Sequence, residues 1–231
     1  MHRDELKALF DHQAAGYDMQ WARMAPVREN LHFLLGAVLA DLPAEARILC
    51  VGAGTGAELE FLAALHPRWS FTAVDPSSAM IARCRQRAES RGFAKRCRFH
   101  EGYVDSLPPD EPYDAATSLL VSQFILDEEA RGGFFAAIAA RLVPGGVIVC
   151  ADLASEAEAH LYEPLLRTWL TVMSQAGVPS DAFERARAAY ARDVAVLPPA
   201  RVARIIESGG FGRAVQFFQA GLMHAWFARR T

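Results

Sequence analysis

Residues 48–57 read Ile48-Leu49-Cys50-Val51-Gly52-Ala53-Gly54-Thr55-Gly56-Ala57. An apolar run of strand character leads straight into alternating glycines, and Ala57–His66 then has helical spacing until Pro67 stops it. Glycine lets a backbone turn sharply and lets a ligand come close where a Cβ would otherwise stand. A second apolar run, Trp69–Val74, ends at Asp75-Pro76. In an open parallel sheet, an acid about 20 residues past the glycine turn is placed to accept the two hydroxyls of an adenosine ribose. Strand, turn, helix, strand and acid together point to a cofactor built on adenosine.

The same rhythm extends outward. Ser77–Arg91 reads as a helix with Ser77 as N-cap and Gly92 just past its end. Cys97–Glu101, Tyr113–Leu119 and Gly146–Ala151 read as the third, fourth and fifth strands, with a helix over Asp127–Leu142 closed by Pro144-Gly145-Gly146. Alternating strands and helices call for a mostly parallel sheet covered on both faces. After Asp152 the pattern changes. Residues 153–196 carry Ala, Glu, Arg and aromatics at helical spacing, broken near Gly177-Val178-Pro179-Ser180, and are expected to form a helical insert. A helix at Pro199–Ser208 follows. Then Ala214–Gln219 and Met223–Ala228 flank Ala220-Gly221-Leu222, so they pair as an antiparallel hairpin. The expected organisation is one domain: an N-terminal helical segment (1–42), a cofactor-binding core (43–152), the insert (153–196) and the last helix with the hairpin (197–231).

Composition narrows the function. With 231 residues, 52% hydrophobic and 22% charged, the chain has enough apolar material for a full α/β core and is not a disordered sequence. A net charge of −3 provides no general attraction to a phosphate backbone. The opening MHRDELKALFDHQ lacks the apolar centre of a signal peptide, and LHFLLGAVLA at 31–40 is too short and polar to span a bilayer. Cys50, Cys84, Cys97 and Cys150 show no CxxC spacing, so free thiols and a cytoplasmic location are expected. The 7 histidines form no HxxxH or HExxH pair, which leaves a metal site without support.

Gly52, Gly54 and Ala57 also satisfy the dinucleotide pattern G-x-G-x-x-G/A. Three features tilt the choice away from a nicotinamide cofactor. One sheet uses almost the whole chain, the only lysines are Lys7 and Lys95, and the sheet closes with an antiparallel hairpin.

Four passages resemble the class I S-adenosylmethionine-dependent methyltransferases: VGAGTG, VDPSSAMI, EGYVDSLP and LVPGG. The opening FDHQAAGYD, SLLVSQFILDEE and the C-terminal SGGF…VQFFQAGLMHAWFARR look most like the smaller group that includes carboxy-S-adenosylmethionine synthase, which serves tRNA modification. The resemblance implies a Rossmann-like fold with a seven-stranded, mostly parallel sheet. It also implies S-adenosylmethionine as cofactor, S-adenosylhomocysteine as product and methyl transfer as the reaction. By the same resemblance, Gly52, Ala53 and Gly54 meet the methionine end, Asp75 the ribose and Pro76 the adenine. Tyr103 and Val104 meet the adenine edge, and Leu119 lines the path near the sulfonium. Tyr17 and Arg28 belong to a segment that closes over the cofactor, and Arg28 could pair with the methionine carboxylate.

The pattern has departures. Relatives usually carry an acid two residues before the first glycine, often holding the cofactor's amino group; here Cys50 stands there. Tyr103 replaces an adenine-binding acid and could stack or donate through its hydroxyl. The arginine that grips the extra carboxylate in the synthase group aligns with Ala189, although Arg187 and Arg192 are near. Ordinary S-adenosylmethionine and a small-molecule acceptor are therefore expected.

Gln123, Tyr162, Trp169 and Asp152 are the candidates for the substrate side. Gln123 stands where relatives often have histidine, and Asp152 ends the fifth strand on the ligand side. Tyr162 and Trp169, with Met173, Phe183 and Tyr190, form an aromatic stripe that suits either a pocket wall or a core. The sequence demands no catalytic base. The run Arg83, Arg85, Arg87, Arg91, Lys95, Arg96 and Arg98 against the single acid Glu89 reads as a solvated face, so a nucleic-acid partner is not favoured. The insert and the N-terminal segment offer contact surfaces for a homodimer.

Overall fold

The computed structural model describes residues 3–156, 158–174 and 180–231. The expected helix break at Gly177-Val178-Pro179 lies outside them. Helices α1 (Arg3–Gln13), α2 (Tyr17–Gln20) and α3 (Ala25–Val38) precede the sheet. Next come β1 (Arg47–Val51), α4 (Ala57–Leu65), β2 (Ser70–Asp75), α5 (Ser78–Ser90), β3 (Cys97–Glu101), β4 (Tyr113–Leu119), α6 (Glu128–Ala139) and β5 (Leu142–Leu153). The insert supplies α7 (Ala159–Met173) and α8 (Ser180–Asp193), and the chain ends with α9 (Pro199–Ser208), β6 (Val215–Ala220) and β7 (Met223–Arg229).

The seven strands lie in the order β3-β2-β1-β4-β5-β7-β6. The first five are parallel, and β7 pairs antiparallel with both β5 and β6. This is the expected Rossmann-like architecture. One expected boundary moves: β5 starts at Leu142, which pairs with Tyr113 before the register shifts and resumes at Val147↔Ala115. Leu142 is fully buried, and this pairing draws the Val143–Gly146 turn into the strand.

Strand periodicity sorts the core. In β1, Ile48 and Cys50 face the layer of α3, α4 and α5, while Leu49 and Val51 face the layer of α6 and α9. β5 repeats the division with Val147 and Val149 against Ile148 and Cys150. Both faces are covered, which is why these strands read as continuous apolar runs. A third cluster packs the insert, through Leu166, Trp169 and Phe183, onto Ala151 and Leu153 of β5 and onto Phe218, Met223 and Ala225 of the hairpin. The cap expected at Ser77 is present, its Oγ accepting from Met80 N at 3.1 Å, and Asp127 caps α6, its Oδ1 accepting from Ala130 N at 2.8 Å.

Candidate functional site

At the carboxyl ends of β1, β2 and β4 lies a cavity of about 620 Å³, in the size range of small-molecule sites. Gly52, Gly54, Asp75 and Pro76 form its floor, with Tyr103, Val104 and Leu119–Val121 as one wall. Arg3, Leu6, Lys7 and Phe10 of α1, with Tyr17, form the roof. Phe124–Asp127 and the α6 face at Ala130, Gly133, Phe134 and Ala137 close the far end.

Two glycines of the turn are needed for different reasons. Gly52 has φ +72, and a Cβ there would stand 2.3 Å from Cγ2 of Val121. Gly54 has φ +52 and would meet nothing within 4 Å, so its face is open. The Gly54 N–H donates to Asp75 Oδ2 at 2.9 Å, and the Ser77 N–H donates to Oδ1 at 2.9 Å. Both oxygens are thereby fixed in direction while each keeps acceptor capacity. Burial raises the Asp75 pKa, these two amide bonds oppose the rise, and the charge of Asp11 adds to it. A fixed, buried carboxylate beside an open glycine suits a ribose diol, so the residues present fit an adenosyl cofactor.

The roof is latched by acids of the N-terminal segment. Asp11 Oδ1 accepts from Ser77 Oγ at 2.6 Å and from Ala79 N at 3.1 Å, which places its charge at the positive end of α5. Asp18 accepts from Thr55 Oγ1 at 2.7 Å and pairs with Arg87. Tyr17 lies over the turn with its ring 6.0 Å from that of Trp21. Burial, and then the charges of Asp75, Glu58 and Asp18, push its phenol pKa well up. The Tyr103 hydroxyl donates to the Arg3 carbonyl at 3.2 Å, and the Arg3 guanidinium sits 4.6 Å from the ring centroid. The hydroxyl is thus spent on α1, and one face of the ring is covered by the Arg3 guanidinium.

Of the candidate residues, Gly52, Gly54, Asp75, Pro76, Tyr103, Val104, Leu119 and Tyr17 line this one cavity. Ala53, Arg28, Gln123, Tyr162, Trp169 and Asp152 do not. Ala53 is buried in the core under the turn, and Arg28 lies on α3 with its charge beside His32. Trp169 donates to the Tyr190 hydroxyl at 2.8 Å inside the insert core, where Tyr162 also packs. The aromatic stripe is core.

Asp152 does not open onto the cavity. It is fully buried and paired at 3.0 Å with the equally buried Arg131 of α6. Ser122 Oγ donates to Asp152 Oδ2 at 2.6 Å and accepts from Arg131 Nε at 2.9 Å. Gln123 N–H donates to Asp152 Oδ1 at 2.8 Å, and the Gln123 side chain accepts from Leu153 N at 2.7 Å. The Gln123 carbonyl accepts from Ala195 N at 2.7 Å. The network ties the cavity-lining loop after β4 to β5 and to the chain leaving the insert. At the start of that loop Leu120 has φ +60, and it is the sole non-glycine with positive φ among the described residues.

A third buried acid, Glu58, lies in the helix that follows the turn. Glu58, in the first turn of α4, accepts from Thr117 Oγ1 of β4 at 3.2 Å. Burial raises its pKa to about 7, against the lowering effect of hydrogen bonds from its own backbone and Thr117. Cys50 is its neighbour, with a thiol pushed well up by burial and then by the Glu58 charge.

Sequence reasoning missed the α1 lining residues, the α6 end of the cavity and Glu58. The apolar spacing of Leu6, Leu9 and Phe10 marks α1 as amphipathic but names no partner. Glu58 could have been noticed as an acid two residues past Gly56 in a stretch whose neighbours are apolar.

Residues 48–146 match the profile of a family described as a methyltransferase domain. The malonyl-[acyl-carrier protein] O-methyltransferase of Bacillus cereus is 32% identical over 123 residues, covering 52% of this chain and 43% of that protein. The trans-aconitate 2-methyltransferase of Methylobacterium nodulans is 32% identical over 157 residues, covering 67% and 54%. The chain thus spans about half the length of these relatives. The DhpI–SAH complex superposes with TM-score 0.66 at 17 percentage points below the identity of those relatives, namely 15%, covering 97% of this chain and 94% of that one. No helix of the described residues is long and apolar enough to cross a membrane. Strand order, cavity and family match agree with one another: residues 48–146 are similar to a methyltransferase domain.

Proposed function

We propose that the chain is an S-adenosylmethionine-dependent methyltransferase acting on a small-molecule acceptor. The single observation that carries this reading is Asp75, held by Gly54 N–H and Ser77 N–H on the floor of the cavity at the end of β2. In this reading Asp75 takes the ribose hydroxyls, while Pro76, the Tyr103 ring and Val104 flank the adenine. Gly52 and Gly54 lie under the methionine end, and Leu119 lies near the sulfur. The bound cofactor supplies a methyl group already activated on a sulfonium. The chain's own residues then have to bind, orient and keep out water. Alignment of an acceptor with that methyl accounts for most of the acceleration such a site can offer. Phe10, Tyr17 and Leu120 offer apolar cover on the roof and wall. A small acceptor suits a site roofed by α1, and two relatives of this chain are named for small or carrier-bound acids.

The reading as a tRNA-modifying enzyme finds less support. Arg87 and Arg91 pair with Asp18 and Glu60, and Arg98 pairs with Asp110. Arg96 donates to the carbonyls of Ala63, His66 and Trp69. Much of the basic run is therefore spent inside the molecule.

The test is calorimetric titration with S-adenosylmethionine, S-adenosylhomocysteine and NAD, on the native chain and on Asp75→Ala. Binding of both adenosyl ligands, lost in the variant, is the expected result, followed by turnover in a screen of small carboxylic acids and phenols. Binding of NAD alone would refute the reading. Adenosyl binding with no turnover on any acceptor would make the chain a cofactor-binding protein instead.

A further inference from the structure

Above the glycine turn the cavity is walled by rings and aliphatic side chains. Val121 packs against Gly52, so the loop after β4 overhangs the turn. Three residues on, the Phe124 ring meets Phe10 of α1 edge to face at 5.5 Å, and Phe10 meets Tyr17 in the same way at 6.4 Å. Leu119 and Leu120 complete this apolar box beside the open face of Gly54. Tyr17 brings it one polar atom: its hydroxyl has no hydrogen-bond partner among the described residues, and burial keeps it protonated as a donor.

The box offers no free charge. Among the described residues, the charged side chains lining the cavity are Arg3, Lys7, Asp75, Asp105 and Asp127. Each is already engaged. Arg3 pairs with Asp105 at 3.5 Å and covers the Tyr103 ring, and Lys7 pairs with Asp11 at 3.2 Å. Asp127 caps α6, and Asp75 holds the Gly54 and Ser77 N–H groups. Asp18, the neighbour of Tyr17, is taken by Thr55 and Arg87. A carboxylate or an ammonium seated among these rings would be buried without a counter-charge, which is costly. A flat neutral ring would instead gain edge-to-face contacts with Phe10 and Phe124.

We propose that this box seats the methyl acceptor, and that the acceptor is an uncharged aromatic ring bearing a hydroxyl, whose oxygen accepts a hydrogen bond from Tyr17. The inference rests on the reading that the methionine half of the cofactor lies over Gly52–Gly54. It separates this chain from the acids for which two of its relatives are named. In the transfer, a lone pair of the acceptor oxygen forms the bond to the methyl carbon. The carbon–sulfur bond breaks with its electron pair left on sulfur, and the hydroxyl proton passes to water.

Three probes share a two-ring skeleton and differ in charge: neutral 2-naphthol, anionic 2-naphthoate and cationic 1-methylquinolinium. They are titrated into the native chain saturated with S-adenosylhomocysteine, so that the adenosyl part of the cavity is filled. 2-Naphthol should bind at least about tenfold more tightly than either ion, and trans-aconitate should not bind. Tyr17→Phe, which keeps the ring, should weaken 2-naphthol about fivefold and leave the two ions as weak as before. Equal or tighter binding of an ion, binding of trans-aconitate, competition between 2-naphthol and S-adenosylhomocysteine, or no binding of 2-naphthol would overturn the inference and leave the cofactor reading standing. Unchanged 2-naphthol binding in Tyr17→Phe would overturn the role of the hydroxyl. Failure of the native chain to bind S-adenosylhomocysteine would overturn both readings.

Discussion

Gly52 and Gly54 share a left-handed backbone, yet their substitution should be felt in different places. Alanine at Gly52 adds a Cβ into Val121 on top of the φ strain, so Gly52→Ala is expected to lower stability by roughly 2–4 kcal/mol. Alanine at Gly54 meets no atom and pays only for φ, about 1 kcal/mol, but it fills the face open to the ligand. Urea unfolding should rank Gly52→Ala as the less stable variant, and titration should show Gly54→Ala to be folded with weakened S-adenosylhomocysteine binding. Glu58 adds a pH signature. Its pKa rises from an ordinary 4.5 to about 7 in the folded chain. The folded state therefore holds a proton that the unfolded state has released, and stability falls as pH rises through that window. Glu58→Gln should raise the free energy of unfolding at pH above about 7 by up to about 3 kcal/mol, read by urea unfolding, with the gain vanishing below about pH 4.5. Asp75 was readable from its distance to the glycine turn. Gln123 and Asp152, named for the substrate side, do not line the cavity; a strand end fixes only which end of the sheet a side chain occupies. It does not reveal that an arginine eight residues beyond Gln123, on α6, will fold back and claim it.

Among elements, boundaries followed from local signals: Ser77 as a cap, Gly92 as a stop and Gly221 within the hairpin turn. What α1 does was hidden, since its partners lie more than 60 residues away in sequence, with Ser77 and Ala79 binding Asp11. Asp11→Ala should cost about 1 kcal/mol of α5 capping and release the roof. Hydrogen exchange of residues 3–13 should then accelerate in the unliganded chain. The Arg131–Asp152 network joins α6, the loop after β4, β5 and the exit of the insert. Removing one partner leaves a buried unpaired charge, so Asp152→Ala should cost about 3–5 kcal/mol in urea unfolding. Replacing both by Arg131→Met with Asp152→Leu should cost less than the single change, because no orphaned charge remains.

For the molecule as a whole, binding and stability are one equilibrium. S-Adenosylhomocysteine at about 100 times its Kd should add about 2.7 kcal/mol, which for a chain of this size is roughly 5–10 °C in Tm. Asp75→Ala should abolish that shift. The overall architecture was accessible from sequence because β1, β2, β4 and β5 are apolar on both faces and punctuated by glycine, proline and capping residues. The extent of the cavity was not, because its roof and far end come from α1 and α6 packing over the sheet.

The tryptophans add a practical property. Trp69 and Trp226 are sealed in the core, and Trp169 is nearly so. Trp21 is half-buried, with its ring 6.0 Å from Tyr17 on the roof and 6.1 Å from Trp169. Any molecule that displaces or orders Tyr17 changes the surroundings of that one indole. The protein therefore carries its own optical reporter: emission from Trp21 should shift on ligand entry, and Trp21→Phe should silence the signal without added dye or label.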